Sequence, residues 1–208
     1  MKTEDRIASD HYTGISYHQF SQSPVLTVVR RTLGVLSWPL AVPIALLARF
    51  SDFIFVSLSQ ALSIVPYFPG AVLREEFYRF SLRACGRNVA IGFGTVFFYR
   101  DISIGSNVLI GMYNTIHHCD FEDYVLTADG CRFLSGSHYH FYDKVDVPMA
   151  LQGGELRRIR LGRDCWIGAN SVVMASVGTG AVVGAGSVVT TPTEEFSIVA
   201  GVPTPHLK

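Results

Sequence analysis

The chain has 208 residues, of which 49% are hydrophobic and 16% charged, and its 17 basic residues balance its 17 acidic ones. A hydrophobic content this high excludes intrinsic disorder, and a net charge of zero leaves no basic surplus for nucleic acid. The four cysteines are scattered without CxxC or zinc-ligand spacing, which excludes a disulfide scaffold. They fit a reducing compartment, in which each serves as a small apolar residue.

The amino-terminal part of the chain divides into a polar and an apolar segment. Residues 1–23 are polar and predict a loose arm, without the apolar core of a secretory signal peptide. Residues 24–85 predict an apolar, helical segment, with uncharged runs of 17 residues from Thr32 and 21 residues from Phe53. A transmembrane helix needs about 20 apolar residues. Two prolines interrupt each run, and proline inside a helix kinks it.

Arginines flank this apolar segment on both sides, at Arg30, Arg31, Arg74, Arg79 and Arg83. If basic flanks stay on the cytoplasmic side of a membrane, both ends of residues 24–73 lie on that side. The pattern predicts a hairpin that attaches the protein to the cytoplasmic side of a membrane. Such a hairpin either spans the bilayer twice or lies shallowly in one leaflet. A pair of helices buried in an oligomer is the alternative.

A six-residue repeat fills residues 86–192. Four phased series carry it: Ile104–Ile110–Ile116, Phe121–Thr127–Phe133, Leu161–Ile167–Val173 and Val177–Val183–Val189. Because this period matches neither a helix nor a plain strand, it indicates a solenoid whose units each add one short strand and one turn. Three units close a coil, so the repeat predicts a mainly β, parallel β-helix of about four to five coils. Residues 137–158 break the repeat and predict an extruded loop, and residues 193–208 form the carboxy-terminal tail.

At this point the chain resembles a known family. The segment IRLGRDCWIGANSVVMASVGTGAVVGAGSVVT (159–190), followed by SIVAGVPT (197–204), is similar to the hexapeptide-repeat acyltransferases, which include sugar O-acetyltransferases. The resemblance implies a left-handed parallel β-helix, acetyl-CoA as acyl donor, and a homotrimer with active sites between subunits. The apolar segment followed by YRFSLRACGRNVAIGFGT resembles a membrane-associated subgroup from polysaccharide biosynthesis.

The resemblance also implies a catalytic histidine near the extruded loop. In the family it is the general base that removes the proton of the acceptor hydroxyl or amine as this group attacks the thioester. The matching segment FLSGSHYHFYD offers His138 and His140, which on a strand face the same side and can work as a pair. His140 is slightly favoured. Asp143 is the first choice for orienting the base, ahead of Asp146 and Glu155.

The family binds CoA in a groove along the helix corner, where small residues let the pantetheine arm approach the backbone. The positions of this chain that match are Trp166, Gly168, Ala169, Ala185, Gly186, Ser187, Thr190 and Thr191. Relatives often have Thr-Lys at the last two positions, so the terminal Lys208 is expected to replace the missing phosphate contact. No metal is expected.

The chain is therefore predicted to be a CoA-dependent acyltransferase that O-acetylates a saccharide, either a polysaccharide precursor or a glycolipid. An amino-sugar N-acetyltransferase is the main rival, and nothing in the residues decides between them. A non-catalytic membrane scaffold is another alternative. A metal enzyme like the γ-class carbonic anhydrases is a third, with ligands among His117, His118, His138 and His140. Adjacent histidines on a strand point in opposite directions, which argues against that site.

Overall fold

Three helices precede a stack of short strands in the computed structural model, which describes residues 24–136 and 139–204. The helices are α1 (Pro24–Leu47), α2 (Asp52–Ser63) and α3 (Tyr67–Ser81). The predicted arm 1–23, His138 and Lys208 lie outside the described residues.

The strands are two or three residues long and all pair in parallel, in three sheets. The first sheet contains β1 (Ala84–Cys85), β4 (Ser103–Ile104), β7 (Cys119–Phe121) and β10 (Ile159–Leu161). The second contains β2 (Ala90–Ile91), β5 (Leu109–Ile110), β8 (Leu126–Thr127), β11 (Trp166–Ile167), β13 (Val182–Val183) and β15 (Ile198–Val199). The third contains β3 (Val96–Phe97), β6 (Thr115–Ile116), β9 (Arg132–Phe133), β12 (Val172–Val173) and β14 (Val188–Val189).

Each coil of this parallel solenoid gives one strand to each sheet, and the described residues make about six coils. The prediction of four to five coils is wrong, because the repeat extends beyond residues 86–192 at both ends. The first coil uses Cys85, Ile91 and Phe97, which keep the six-residue spacing with a cysteine and a phenylalanine in aliphatic positions. At the other end, Val199 in the predicted tail pairs with Val183.

The inward positions of the solenoid are the ones that the repeat predicts. Every member of the four phased series is buried, and Thr127 is the polar exception among them. Its hydroxyl accepts a hydrogen bond from the buried side chain of Asn114 at 3.2 Å. Each coil buries its apolar edge only against the coils beside it, so the solenoid is stabilised by nearest-neighbour packing.

Two of the three corners are regular turns. A residue with positive φ lies three positions after each inward residue, at Asn88, Asn107, Tyr124, Asp164, Gly180 and Phe196 on the first corner and at Gly94, Tyr113, Gly130, Asn170 and Gly186 on the second. This left-handed conformation closes a tight turn, and glycine, asparagine and aspartate adopt it most readily.

The third corner, which leads from the third sheet to the first sheet of the next coil, carries the irregularities of the repeat. Successive inward residues across it are separated by seven, five, 28 and four positions, at Phe97–Ile104, Ile116–Phe121, Phe133–Leu161 and Val173–Val177. The inward residues stay in register on either side of this corner. Insertions and deletions therefore concentrate here, where the connecting residues do not pair with the neighbouring coils.

Helices α2 and α3 cover the open end of the first coil. Tyr78 packs on Phe97 with ring centroids 4.4 Å apart, and its hydroxyl lies 2.7 Å from that of Ser59. The Ser59 hydroxyl also accepts a hydrogen bond from the Phe97 backbone N–H at 3.0 Å. Similarly, the Arg74 guanidinium donates to the carbonyl of Ile91 at 2.9 Å. These contacts satisfy backbone groups of the first coil that no preceding coil pairs.

Helix α1 packs on α3 through small residues, among them Gly34, Ala41 and Ala45, while its opposite side stays exposed and apolar. Within the described ranges no helix has the length and hydropathy needed to cross a bilayer. Helix α1 contains two arginines and two prolines, and α2 has 12 residues.

Replacing Ser59 by alanine should destabilise the fold, because it leaves the buried Phe97 N–H without its acceptor. The expected loss is about 1–3 kcal/mol in the free energy of unfolding. Chemical denaturation followed by circular dichroism measures it. The matched control is Ser57→Ala on the exposed side of the same helix, which should change stability little because alanine is the better helix former. Equal stability of both variants would contradict the role given to Ser59.

Candidate active site

Four aromatic and imidazole rings stack on the third corner. His117 and His118 follow strand β6, one coil above Phe98 and Tyr99. The His117 and Phe98 rings are 4.9 Å apart and inclined by 18°, and the His118 and Tyr99 rings are 4.0 Å apart and inclined by 29°. The rings meet because β3 and β6 pair in register, which places equivalent positions of successive coils above one another. We call these four residues the ring ladder.

The surroundings of both imidazoles of the ring ladder favour the neutral form. Burial lowers the pKa of His117 below its usual 6.5, and the neighbouring His118 adds to this. Burial also lowers the pKa of His118, with a further contribution from the Arg158 charge, against the opposing effect of nearby aspartates. The buried Nδ1 of His117 has no hydrogen-bond partner among the described residues. A neutral imidazole can accept a hydrogen bond from a hydroxyl group of a ligand at one nitrogen and donate one to it from the other.

The extruded loop leaves the solenoid after Phe133 and returns at Ile159. Its base is tied to the ring ladder, since the Ser135 hydroxyl accepts a hydrogen bond from the His118 backbone N–H at 3.1 Å. Gly154 allows the two arms of the loop to meet, because a Cβ there would lie 1.8 Å from the Tyr139 carbonyl oxygen. The loop is thus held over the third corner by its own backbone.

Tyr139 brings the loop onto the ring ladder. Its ring meets His117 edge-on at 6.1 Å, and its hydroxyl lies 3.4 Å from that of Tyr99. Burial and this contact raise the pKa of Tyr99 to about 12. The ring of His140 is exposed and lies 5.0 Å from the Tyr139 ring. The structure therefore places the predicted base His140 next to Tyr139, whose ring contacts His117, while His138 is outside the described residues.

The acidic residues predicted to orient the base lie at the surface of the loop. Asp143 is exposed and forms no hydrogen bond or ion pair with another described residue. Glu155 binds the Arg157 guanidinium at 3.0 Å. The orienting role of Asp143 remains a prediction.

Sequence reasoning missed a charged network beside His118. Arg158 pairs with Asp101 at 2.5 Å and with Asp120 at 3.1 Å, and Arg83 pairs with Asp120 at 2.8 Å. These exposed pairs contribute little to stability individually. They do join four successive coils where the loop returns, and the charges of Arg158, Asp101 and Asp120 act on His118. The sequence did contain a signal for a site at this corner, namely the adjacent histidines within the shortened Ile116–Phe121 interval.

Four of the predicted CoA-binding positions lie together on the second corner. Gly168 and Ala169 of the fourth coil stack against Ala185 and Gly186 of the fifth. The Gly186 N–H donates to the Ala169 carbonyl at 2.7 Å. A Cβ on Gly168 would lie 2.5 Å from the Ala185 nitrogen, so this position requires glycine. Ala185 and Gly186 are exposed, which leaves a surface of small residues open to a ligand.

The other predicted CoA positions lie elsewhere. Ser187 is buried, and its hydroxyl accepts from the Gly201 N–H at 3.2 Å, so its side chain holds the last turn. Trp166 is exposed on the second sheet between Leu126 and Val182. Thr190 and Thr191 are exposed after β14, on the third corner, and Lys208 lies outside the described residues. The small-residue surface and the ring ladder thus occupy different corners of one chain.

Across residues 24–136 and 139–204, no three histidine, cysteine or carboxylate side chains come together as a candidate metal site.

The strand order, the period and the corner geometry define a hexapeptide-repeat solenoid. Comparisons with known proteins confirm the resemblance. The family described as the hexapeptide repeat of succinyl-transferase matches residues 158–191. A probable acetyltransferase of Mycobacterium tuberculosis is 32% identical over 112 residues, which cover 51% of this chain and 37% of that protein. This chain therefore spans little more than a third of the relative's length.

Two solved structures share the fold. A galactoside acetyltransferase in complex with coenzyme A superposes with a TM-score of 0.65 at 21% identity, covering 77% of this chain and 82% of that one. A maltose O-acetyltransferase from Clostridium difficile 630 gives a TM-score of 0.60 at 18% identity, covering 79% and 87%. At these identities the likeness extends to the fold.

The lowered pKa of the ladder histidines predicts a pH-dependent stability. In the unfolded chain these histidines titrate near 6.5, so below that pH the unfolded state binds more protons than the folded one. The free energy of unfolding should therefore fall as the pH drops from about 7 through 6.5 and below. Denaturant titrations between about pH 5 and 8 measure this slope.

Replacing His117 by phenylalanine keeps a ring on Phe98 and should make that slope shallower. Phe98→Leu is the control, because it removes the ring that stacks on His117 without removing a titrating group, and should shift the curve while keeping its slope. If His117→Phe leaves the pH dependence of the unfolding free energy unchanged, His117 has the same pKa in the folded and the unfolded chain.

Proposed function

We propose that this protein is an acetyl-CoA-dependent acyltransferase that acetylates a hydroxyl group of a saccharide. The observation that carries the proposal is the ring ladder, with its neutral histidines, beneath an extruded loop bearing His138 and His140 on a hexapeptide-repeat solenoid. The sequence similarity to a probable acetyltransferase supports the reaction class. The left-handed sense of the coil belongs to the same proposal, as the geometry that the family implies.

In the proposed reaction, the neutral imidazole of His140 or His138 accepts the proton of the acceptor hydroxyl as its oxygen attacks the thioester carbonyl. The carbon–sulfur bond then breaks, and the departing thiolate takes the proton from the imidazolium. The products are an acetyl ester and free CoA, and the histidine returns to its neutral state. A carboxylate that accepts a hydrogen bond from the second imidazole nitrogen stabilises the imidazolium while it holds the proton. Asp143 is assigned this role.

The ring ladder is assigned to the acceptor. The hydroxyls of Tyr99 and Tyr139 offer hydrogen bonds to sugar hydroxyls. Aromatic faces beside them can pack on the apolar faces of a sugar ring. A neutral surface of this kind suits an uncharged polyol. Transfer to an amino sugar remains the alternative acceptor chemistry, since the same base accepts a proton from an amine.

The donor is assigned to the small-residue surface formed by Gly168, Ala169, Ala185 and Gly186, where backbone groups are open to a pantetheine arm. Because this surface and the ring ladder lie on different corners of one chain, a complete site needs a second copy. We therefore include a homotrimer in the proposal, with the donor surface of one subunit facing the loop of its neighbour.

The exposed apolar side of α1 supports a position at the cytoplasmic side of a membrane, attached through residues 24–73 without spanning it. Helix α1 exposes a series of large apolar side chains, while its buried side packs mainly on α3 and also contacts α2. A large exposed apolar surface marks a site of contact with a partner or a membrane. A glycolipid or a polysaccharide precursor is then the acceptor that fits this position.

Single replacements of the loop histidines test the proposed base. Calorimetry of acetyl-CoA binding and thiol release with glycolipid acceptors should be compared for wild type, His138→Ala and His140→Ala. Binding should persist in all three proteins, while kcat falls about 100-fold or more in the variant that lacks the base. Acceptors bearing an amine or hydroxyls alone distinguish N- from O-transfer.

The control in this series is His11→Ala in the polar arm, which should behave like wild type. Failure of the wild type to bind acetyl-CoA would contradict its assignment as the donor and would favour the non-catalytic membrane scaffold. Turnover retained in both loop variants would show that another residue is the general base. His117 and His118 of the ring ladder would then be the next candidates.

A bulky side chain on the small-residue surface should exclude the donor. Ala185→Trp is expected to raise the Kd for acetyl-CoA roughly tenfold or more, since close approach to the backbone needs small residues there. Ala61→Trp, at an exposed alanine of α2, is the matched control and should bind normally. Unchanged binding by Ala185→Trp would place the CoA groove on another corner.

A further inference from the structure

A cavity lies between α1, α3 and the first two coils, on the first corner and apart from the ring ladder. Its volume is about 720 Å³. It is lined by Arg30, Arg31, Val35, Trp38, Glu75, Glu76, Arg79, Arg87, Asn88, Ser106 and Asn107. No residue of this cavity belongs to the donor or acceptor sites proposed above.

The two carboxylates of this cavity are already neutralised by their own partners. Glu75 is buried and binds Arg30 at 2.8 Å and Arg79 at 2.9 Å. Glu76 is also buried; it forms an ion pair with Arg79 at 3.1 Å and accepts a hydrogen bond from the Trp38 indole N–H at 3.0 Å. Buried charges of this kind require such partners. The pairs hold α1 on α3 and leave the carboxylates satisfied.

The remaining cations of the cavity are uncommitted. Arg31 and Arg87 are exposed, and their guanidiniums form no hydrogen bond or ion pair with the part of the chain that the structure describes. With four guanidiniums and two carboxylates in its lining, the cavity carries an excess of two positive charges. The amide of Asn107, next to that of Asn88, adds polar groups at its edge. This lining favours an anionic ligand, and guanidiniums bind phosphate oxygens well.

The rim of the cavity is apolar. Val35 and Trp38 line it and are themselves exposed, and the next residues outward on α1 include Leu36 and Leu40, exposed by 68% and 55%. One helix therefore presents both the free cation Arg31 and a continuous apolar side. Cations beside apolar and tryptophan side chains are typical of helices that lie in a membrane interface.

We propose that this cavity binds the phosphate headgroup of an anionic membrane lipid, with the lipid chains lying along the exposed side of α1. The inference rests on the proposed membrane position and names the lipid chemistry that it recognises. Arg31 and Arg87 bind the phosphate, and Trp38 sits at the level of the headgroups. A second copy of the chain is a poorer occupant, because a symmetric contact would bring the uncommitted arginines of both copies together.

Vesicle co-sedimentation of the full chain tests the lipid site. Phosphatidylcholine vesicles with and without phosphatidylglycerol are the probes, at low and high salt. Wild type should prefer the anionic vesicles, and added salt should weaken that preference. The double variant Arg31→Ala/Arg87→Ala should bind them roughly tenfold or more weakly. Leu36→Ser/Leu40→Ser should lose binding to both kinds of vesicle.

The matched control is Arg160→Ala/Arg163→Ala, which removes the same charge from the fourth coil and should bind like wild type. Equal losses in both double variants would overturn the site in favour of a general charge effect. Equal binding to both vesicle types, or no binding, would overturn it too. Saturation by inorganic phosphate in calorimetry, without vesicle binding, would assign the cavity to a soluble phosphate instead.

Acetyl-CoA binding by the same variants separates this proposal from the enzymatic one. The lipid-site variants should bind acetyl-CoA as wild type does, because the small-residue surface is on another corner. Loss of vesicle binding with intact acetyl-CoA binding supports the lipid site alone.

Discussion

The stacking of one inward residue on its equivalent in the next coil is the constraint on which the rest of the structure depends. A strand of two residues has almost no stability of its own, so each coil is held by its neighbours above and below. Register therefore tolerates no insertion along the sheets or at the two corners closed by left-handed residues. Variation is confined to the third corner, where intervals between Phe97 and Val177 range from four to 28 residues.

The first coil of such a stack leaves its backbone hydrogen-bonding groups unpaired, and helices α2 and α3 cover this open end. The first coil has no preceding coil to pair its backbone, and Ser59, Ser63 and Arg74 supply the missing hydrogen bonds. The apolar sequence of residues 24–73 thus serves two purposes. Helices α2 and α3 use theirs to cover the solenoid, whereas α1 keeps most of its apolar surface exposed. Composition alone cannot separate these purposes, since both need the same residue types.

Much of the fold follows from the period of the sequence, because inward residues at every sixth position leave few alternative structures. The four series from Ile104 to Val189 are all inward in the structure. The predicted series start at Ile104 and leave out Cys85, Ile91 and Phe97, since Cys85 and Phe97 occupy aliphatic positions, although the six-residue spacing through Ile91 is intact. The site was harder to predict. The resemblance pointed to the loop, but the ladder forms between residues nearly 20 positions apart in sequence, such as Tyr99 and His118, and only the register brings them together.

Regular and irregular corners are suited to different ligands. The second corner repeats the same turn, so a surface such as Ala185 and Gly186 changes little from coil to coil and fits a donor that is constant across a family. The third corner is free to change length, and it carries the loop, the ring ladder and the ion pairs. Under the proposed function, acceptor specificity is encoded there, in residues that the repeat leaves unconstrained. A replacement at Tyr99 or Tyr139 can alter the acceptor without disturbing the stack, whereas one at Phe97, two positions away, cannot.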